Sequence, residues 1–421
     1  MTHKRFLTSG HVPTLVSALL YFDVSFMVWV ILGPLAPFLR QQFGMSATTQ
    51  GLLVAVPLLG GSLFRPVLGV LADRIGGRRA GLFGLSLTIA AIVIGWTMAS
   101  APWHLFVLGF FLGIAGASFA VALPLASRWY PAEYQGLAMG IVGAGNSGSL
   151  MATLFAPRLA ERLGWASTFG LALVPVTCVA IVFALLAKDS PSKTTKLGWK
   201  DYVEILREPD TLWFALLYSL TFGGFVGFTS FLTTFFHEQY HVSRVAAGDF
   251  TTIVVVSGSL MRPLGGWMSD RIGGYRLLLF LLGAVAVSLG FVAILPPLAF
   301  AVPTLFVAVG CLGMGNGAVF QLVPQRFAGR MGIITGVVGA AGGLGGFFLP
   351  SLLGAAKDAT GTYGSGLMVV SGAFVAGAIV LLELGSRWMA RWQPDAIKQS
   401  GLFSYKTAIG SAVLSGPRPR G

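Results

Sequence analysis

Twelve apolar runs, most of about twenty residues or more, alternate along this chain with short polar segments rich in arginine, lysine and glycine. The pattern predicts helices over residues 14–39, 48–72, 79–99, 103–127, 136–157, 166–187, 211–236, 246–268, 275–297, 302–324, 332–355 and 364–387. A helix needs about 20 apolar residues to cross a bilayer. Strands of a barrel would be about half as long and would alternate apolar with polar positions, which these runs do not. Glycine and proline recur inside the runs, as membrane helices tolerate because neighbouring helices re-satisfy the backbone. An all-α membrane bundle of twelve transmembrane helices follows.

Composition supports that solvent. Hydrophobic residues make up 55% and charged residues 10% of the chain, with a mean hydropathy of +0.79, whereas soluble domains carry about 25% charge. The net charge of +13 would suggest nucleic acid on a soluble chain. Here it is better read as marking loops, and no nucleic-acid partner is expected. Of the 28 basic residues, 21 fall on the termini or the loops on their side, five on the opposite loops, and two, Arg65 and Arg262, within spans. By the positive-inside rule both termini are expected in the cytoplasm, in a cell membrane such as the bacterial inner membrane. Cys178 and Cys311 lie inside apolar runs, so neither a disulfide framework nor a metal or other cofactor is expected.

The longest loop, residues 188–210, is polar and divides six spans (1–187) from six (211–388). The turn-rich tail, 389–421, is expected to be disordered. The halves repeat each other: RPVLGVLADRIGGRR begins at Arg65 and RPLGGWMSDRIGGYR at Arg262, and ALLY ends at Tyr21 and again at Tyr218. GIVGAG from Gly140 and GVVGAA from Gly336 match as well, as do Pro124 and Pro324, all at offsets of 196 to 200 residues. Six spans per half make the repeats parallel, about an axis along the membrane normal, a plan that puts a transporter's site near the midplane between halves. The loops GVLADRIGGRR and GWMSDRIGGYR resemble the G-x-x-x-D-R-x-G-x-R-R motif of the major facilitator superfamily. The resemblance implies that fold and a gating role for Asp73, Arg74, Asp270 and Arg271, the carboxylates pairing with basic groups on neighbouring helix ends. A static clamp between loops is the other reading of the same residues.

An ionisable residue at membrane depth costs at least about 2.5–3.5 kcal/mol and is a functional hypothesis by default. Arg65 and Arg262 each stand eight residues before the motif aspartate, about 12 Å of helix, against a half-core of about 15 Å. Both therefore reach the midplane. The arginines' own spans, and the fourth, fifth, tenth and eleventh, are expected to supply no carboxylate; Asp23 in the first span and Glu383 in the twelfth are the acids to consider. The simplest counter-charge is then an anionic substrate, and the planar guanidinium fork suits a planar oxyanion. Snorkelling, or pairing with backbone carbonyls, is the alternative.

The first-span run YFDVSFMVWVILGPL, the two arginines, and the glycine-rich helices GIVGAGNSG (140–148) and GVVGAAGGLGG (336–346) resemble the nitrate/nitrite porter family of that superfamily. The second glycine run departs from its strongest form, with Ala341 where a glycine is expected and no asparagine matching Asn146. The resemblance implies an anion held by Arg65 and Arg262, with Asn146 and the Tyr218 hydroxyl beside it and Phe119 and Phe222 as aromatic walls. Nitrate and nitrite are the expected cargo. Asp23 is a candidate proton carrier for symport, protons then being the coupling ion; nitrate/nitrite exchange needs no such carrier. Oxalate or formate would also suit paired cations. A receptor would need a signalling domain for which there is little chain, and no nucleophile–base or H-E-x-x-H spacing suggests an enzyme. A monomer is expected.

Overall fold

The computed structural model describes residues 3–191, 199–327 and 331–402. Its twelve long apolar helices are α1 (Val12–Phe43), α2 (Ala47–Ile75), α3 (Gly77–Met98), α4 (Pro102–Ser127), α5 (Tyr134–Leu163), α6 (Trp165–Leu186), α7 (Pro209–Tyr240), α8 (Arg244–Ile272), α9 (Gly274–Ala293), α10 (Leu298–Phe327), α11 (Ile334–Thr360) and α12 (Gly364–Arg391). All twelve predicted spans are present. Most run several residues past the apolar stretch, because a helix continues into polar ends where caps hold it. Ser46 and Ser243, for example, accept the N–H groups of Thr49 and Ala246 at the starts of α2 and α8, each at 3.1 Å.

Small residues set the packing. In the N-terminal half, Gly60 of α2 lies against Gly113 of α4; in the C-terminal half, Gly258 of α8 lies against Gly313 of α10, and in neither pair is there space for a Cβ. The repeat seen in sequence is thus a repeat of helix contacts. Between the halves, α2 packs on α11 and α8 on α5, again an equivalent pair.

The regular helix fails mid-span in four places. α1 breaks at Ile31, ahead of Pro34, which has no N–H to give the preceding turn. α4 breaks at Ala117–Ser118, α5 tightens to a 3₁₀ turn over Ala144–Ser147, and α7 widens to a π-helical turn over Ser219–Gly223. Such turns re-aim side chains and recur at functional sites.

The tail differs from its expectation as far as residue 402. α12 runs to Arg391, and Pro394–Ser400 forms a further helix. Pro394 sits in its first turn with Asp395, and Gly401, at φ 70°, ends it. Arg276 Nε donates to the Gly401 carbonyl at 3.0 Å, tying this helix to the first turn of α9. The linker likewise contains a helix, Trp199–Leu206. Residues 192–198 and the disorder expected beyond 402 lie outside the described residues.

Candidate functional site

Arg65 projects from α2 and is 1% exposed. Its Nε donates to the Gly116 carbonyl of α4 at 3.1 Å, its Nη1 to the Gly339 carbonyl of α11, and its Nη2 has no partner. Three rings surround the guanidinium: Trp29 at 5.1 Å, and Phe119 and Phe222 at 5.3 Å each. Aromatic faces attract a cation without accepting its hydrogen bonds. The backbone carbonyls therefore satisfy part of the fork, and the two N–H groups of Nη2 remain unspent.

Arg262 is half-buried on α8, with a buried Nη1 that has no partner. It faces Gly143 of α5, where an added Cβ would stand 3.8 Å from its Cζ. Gly143 and Gly339 occupy equivalent places in the two glycine-rich helices, 196 residues apart. Each arginine thus crosses the interface to the same position of the opposite half. At both glycines a Cβ would stand in ordinary contact with the facing guanidinium, so only a side chain larger than a methyl would crowd it.

The other expected residues converge here. Tyr218 and Phe222, one turn apart on α7, stack at 5.1 Å with planes 4° apart. The Tyr218 hydroxyl is buried and close to both guanidinium groups, with Arg262 near enough to donate to it. Asn146 lies in the 3₁₀ turn of α5, where residues three apart eclipse, placing it in line with Gly143. It is 0% exposed, and neither its amide nitrogen nor its oxygen has a partner. Asp23 of α1 accepts a 2.6 Å hydrogen bond from Ser147, the residue after Asn146. Two rings were not anticipated. Trp29 lies over Arg65, and Phe320 of α10 meets Tyr218 at 4.9 Å and Phe119 at 6.5 Å.

No carboxylate pairs with either arginine among the described residues. One expectation needs correction: the eighth span does contain an acid, Asp249, near its start. That residue pairs with Arg158 at 2.6 Å at the far end of α8 and so is spent elsewhere.

A narrow cavity leads from Arg65 and Phe119 between α2, α4 and α11 to Asp73 and Arg128, at the face that carries the termini. The opposite face is shut by bonds between the halves. Arg40 of α1 pairs with Glu238 of α7, which also accepts from Tyr363 at 2.6 Å. Asp358 of α11 accepts the N–H groups of Ala47 and Thr48 at the start of α2, at 3.1 and 2.7 Å. Ion pairs on the terminus side stay within a half: Asp73 with Arg128 at 2.8 Å, and Arg326 with Asp210 at 2.5 Å. The motif loops are therefore unequal. Asp270 is exposed and has no ion pair among the described residues, because Arg326 turns to Asp210 and Glu208 at the start of α7. Arg271 lies over Trp267, 3.9 Å from its ring centre, and Arg74 ends α2 in its last turn.

Two six-helix halves, a buried cationic centre between them and a path to one face define a multi-pass membrane protein of the two-fold repeated transporter class. Residues 18–350 match the family described as Major Facilitator Superfamily. The chain is similar, at 35% identity over 89% of its length and 94% of the relative's, to a Bacillus subtilis protein named "Nitrite extrusion protein". It is 36% identical, over 83% and 90%, to a Mycobacterium tuberculosis protein named "Probable nitrate/nitrite transporter NarK2". Among solved structures, the xylose transporter XylE from E. coli, in a partially occluded inward-open conformation, shares the fold with a TM-score of 0.72 at 16% identity, over 89% of this chain and 99% of that one. The chain belongs to the nitrate/nitrite porter family of the Major Facilitator Superfamily.

Proposed function

We propose that the chain carries nitrate, and with it nitrite, by alternating access, the anion lying between Arg65 and Arg262. One observation carries this reading. Each half sends one arginine across the interface, each retains a buried N–H without a partner, and no carboxylate among the described residues pairs with either. An anion satisfies both cations at once and draws the halves together; without it the two positive charges repel. Tyr218 and Asn146 add donors, and the flat walls of Phe119 and Phe222 admit a planar ion more readily than a tetrahedral one. The names of the relatives supply nitrate and nitrite as the cargo to test.

The protein acts as a monomer in the cell membrane with both termini in the cytoplasm, and the present state is open toward that side. In the symport reading Asp23 carries a proton, because its carboxylate lies beside the Asn146 turn and is half-buried, within reach of the central path. A second reading, exchange of nitrate for nitrite, is favoured by the Asp23–Ser147 hydrogen bond, which gives that acid a structural task of its own.

Proteoliposomes holding the purified protein separate the two. Nitrate uptake driven by a pH gradient, and lost in Asp23→Asn, is the expected result. Uptake that requires internal nitrite and ignores the gradient would replace symport by exchange, and the absence of nitrate flux under both conditions would contradict transport of nitrate altogether.

A further inference from the structure

One buried polar side chain near the centre has no task so far. Asn316 of α10 is 0% exposed, and both its amide nitrogen and its oxygen lack a partner. Buried amides in folded proteins are almost always hydrogen-bonded, and an orphan calls for an explanation such as a missing ligand. Its direction follows from its neighbours. Phe320, four residues on and so on the same helix face, meets Tyr218 and Phe119. On either side, Gly315 abuts Thr221 of α7 and Gly317 abuts the Arg262 backbone of α8. Asn316 therefore points between α7 and α8, toward the centre, at the level of Arg262. The repeat gives an independent bearing. In the register of Pro124 and Pro324, the N-terminal counterpart of Asn316 is Gly116, whose carbonyl holds Arg65. Asn316 thus stands beside Arg262 as Gly116 stands beside Arg65.

We propose that Asn316 is a further substrate-contacting residue, its amide N–H groups donating to a small planar oxyanion next to Arg262. This rests on the anion reading above and deepens it: the C-terminal half supplies an amide to match Asn146 of the N-terminal half. It also accounts for the orphaned atoms, since the amide is paired only when the site is loaded.

The test compares the full chain in detergent with Asn316→Leu, a near-isosteric change that removes both polar atoms. The readout is the thermal-unfolding midpoint titrated with sodium nitrate or sodium nitrite. Two results are expected together. Without anion the variant unfolds at the same temperature as wild type or higher, because an unpaired buried amide has been replaced by apolar surface. With nitrate its apparent affinity is weaker by about ten-fold or more, the loss of one hydrogen bond to a charged ligand, and the nitrate-to-nitrite affinity ratio shifts. Asn316→Ser, which restores a short donor, recovers part of the loss and serves if the leucine variant does not fold. A wild-type midpoint indifferent to nitrate would overturn the anion reading and this inference with it. A wild-type response retained unchanged in Asn316→Leu would overturn the inference alone, as would a lowered midpoint without anion, which would mean a structural partner.

Discussion

A guanidinium N–H left over in the middle of an apolar bundle is costly to maintain: an unsatisfied buried donor loses about 1–3 kcal/mol, and more when charged. Arg65 Nη2 and Arg262 Nη1 both stand in that condition, with the Tyr218 hydroxyl as a further buried donor beside them, so the site is cheaper when occupied. Tyr218→Phe removes one such donor and leaves the ring stack with Phe222 intact. It is expected to weaken nitrate affinity by about ten-fold without lowering the amount of folded protein; unchanged affinity would take the hydroxyl out of the site. At this scale the arginines were legible in the sequence because a charge inside an apolar run is costly and must find a partner. Trp29 and Phe320 were not. An aromatic in such a run looks the same whether it faces lipid or a cation, and only the convergence of four helices distinguishes the two. The carbonyl partners of Arg65 were hidden for another reason: backbone acceptors leave no mark on composition.

The helices themselves were legible from hydropathy alone, since length and polarity fix what can span a bilayer. Their irregular turns were not. Glycine is frequent throughout, and nothing local separates the glycines that close the 3₁₀ turn of α5 from those that pack α2 on α4. Yet Phe119 directly follows the break in α4, Asn146 lies in the tightened turn of α5, and Phe222 lies in the widened turn of α7. The element-scale claim is that Gly339 in α11 keeps a bulky side chain away from Arg65: a Cβ there would just touch, 3.4 Å from the Phe119 ring and 3.7 Å from Nη1 of Arg65, and branching beyond it would crowd both. Gly339→Val is expected to displace the guanidinium and weaken nitrate transport by about ten-fold, in keeping with the 1–3 kcal/mol that overpacking costs. Gly140→Ala, on the equivalent helix but with nothing within 4 Å, is expected to change it by less than about two-fold. Equal effects in initial-rate uptake would mean that the glycines serve helix packing in general.

For the whole molecule, the decisive feature is the division of labour between halves. Each contributes one cation to the centre, the face away from the termini is fastened by Arg40–Glu238, Arg158–Asp249 and the Asp358 cap, and the ion pairs of the other face stay within a half. On the proposed reading an anion between the arginines is held by both halves at the centre, and its arrival favours closing the face that carries the termini. The two-half plan could be read from the 197-residue repeat. The unequal state of the two faces could not, because nearly identical loop motifs contain Asp73, which is paired, and Asp270, which has no ion pair among the described residues. The central claim, that a planar anion is forked by both arginines, is tested most directly by nitrate exchange in proteoliposomes carrying Arg65→Lys or Arg262→Lys. Lysine keeps the charge and loses the fork. Each variant is expected to lose about ten-fold or more in nitrate affinity while remaining folded; affinity unchanged in both would contradict the account.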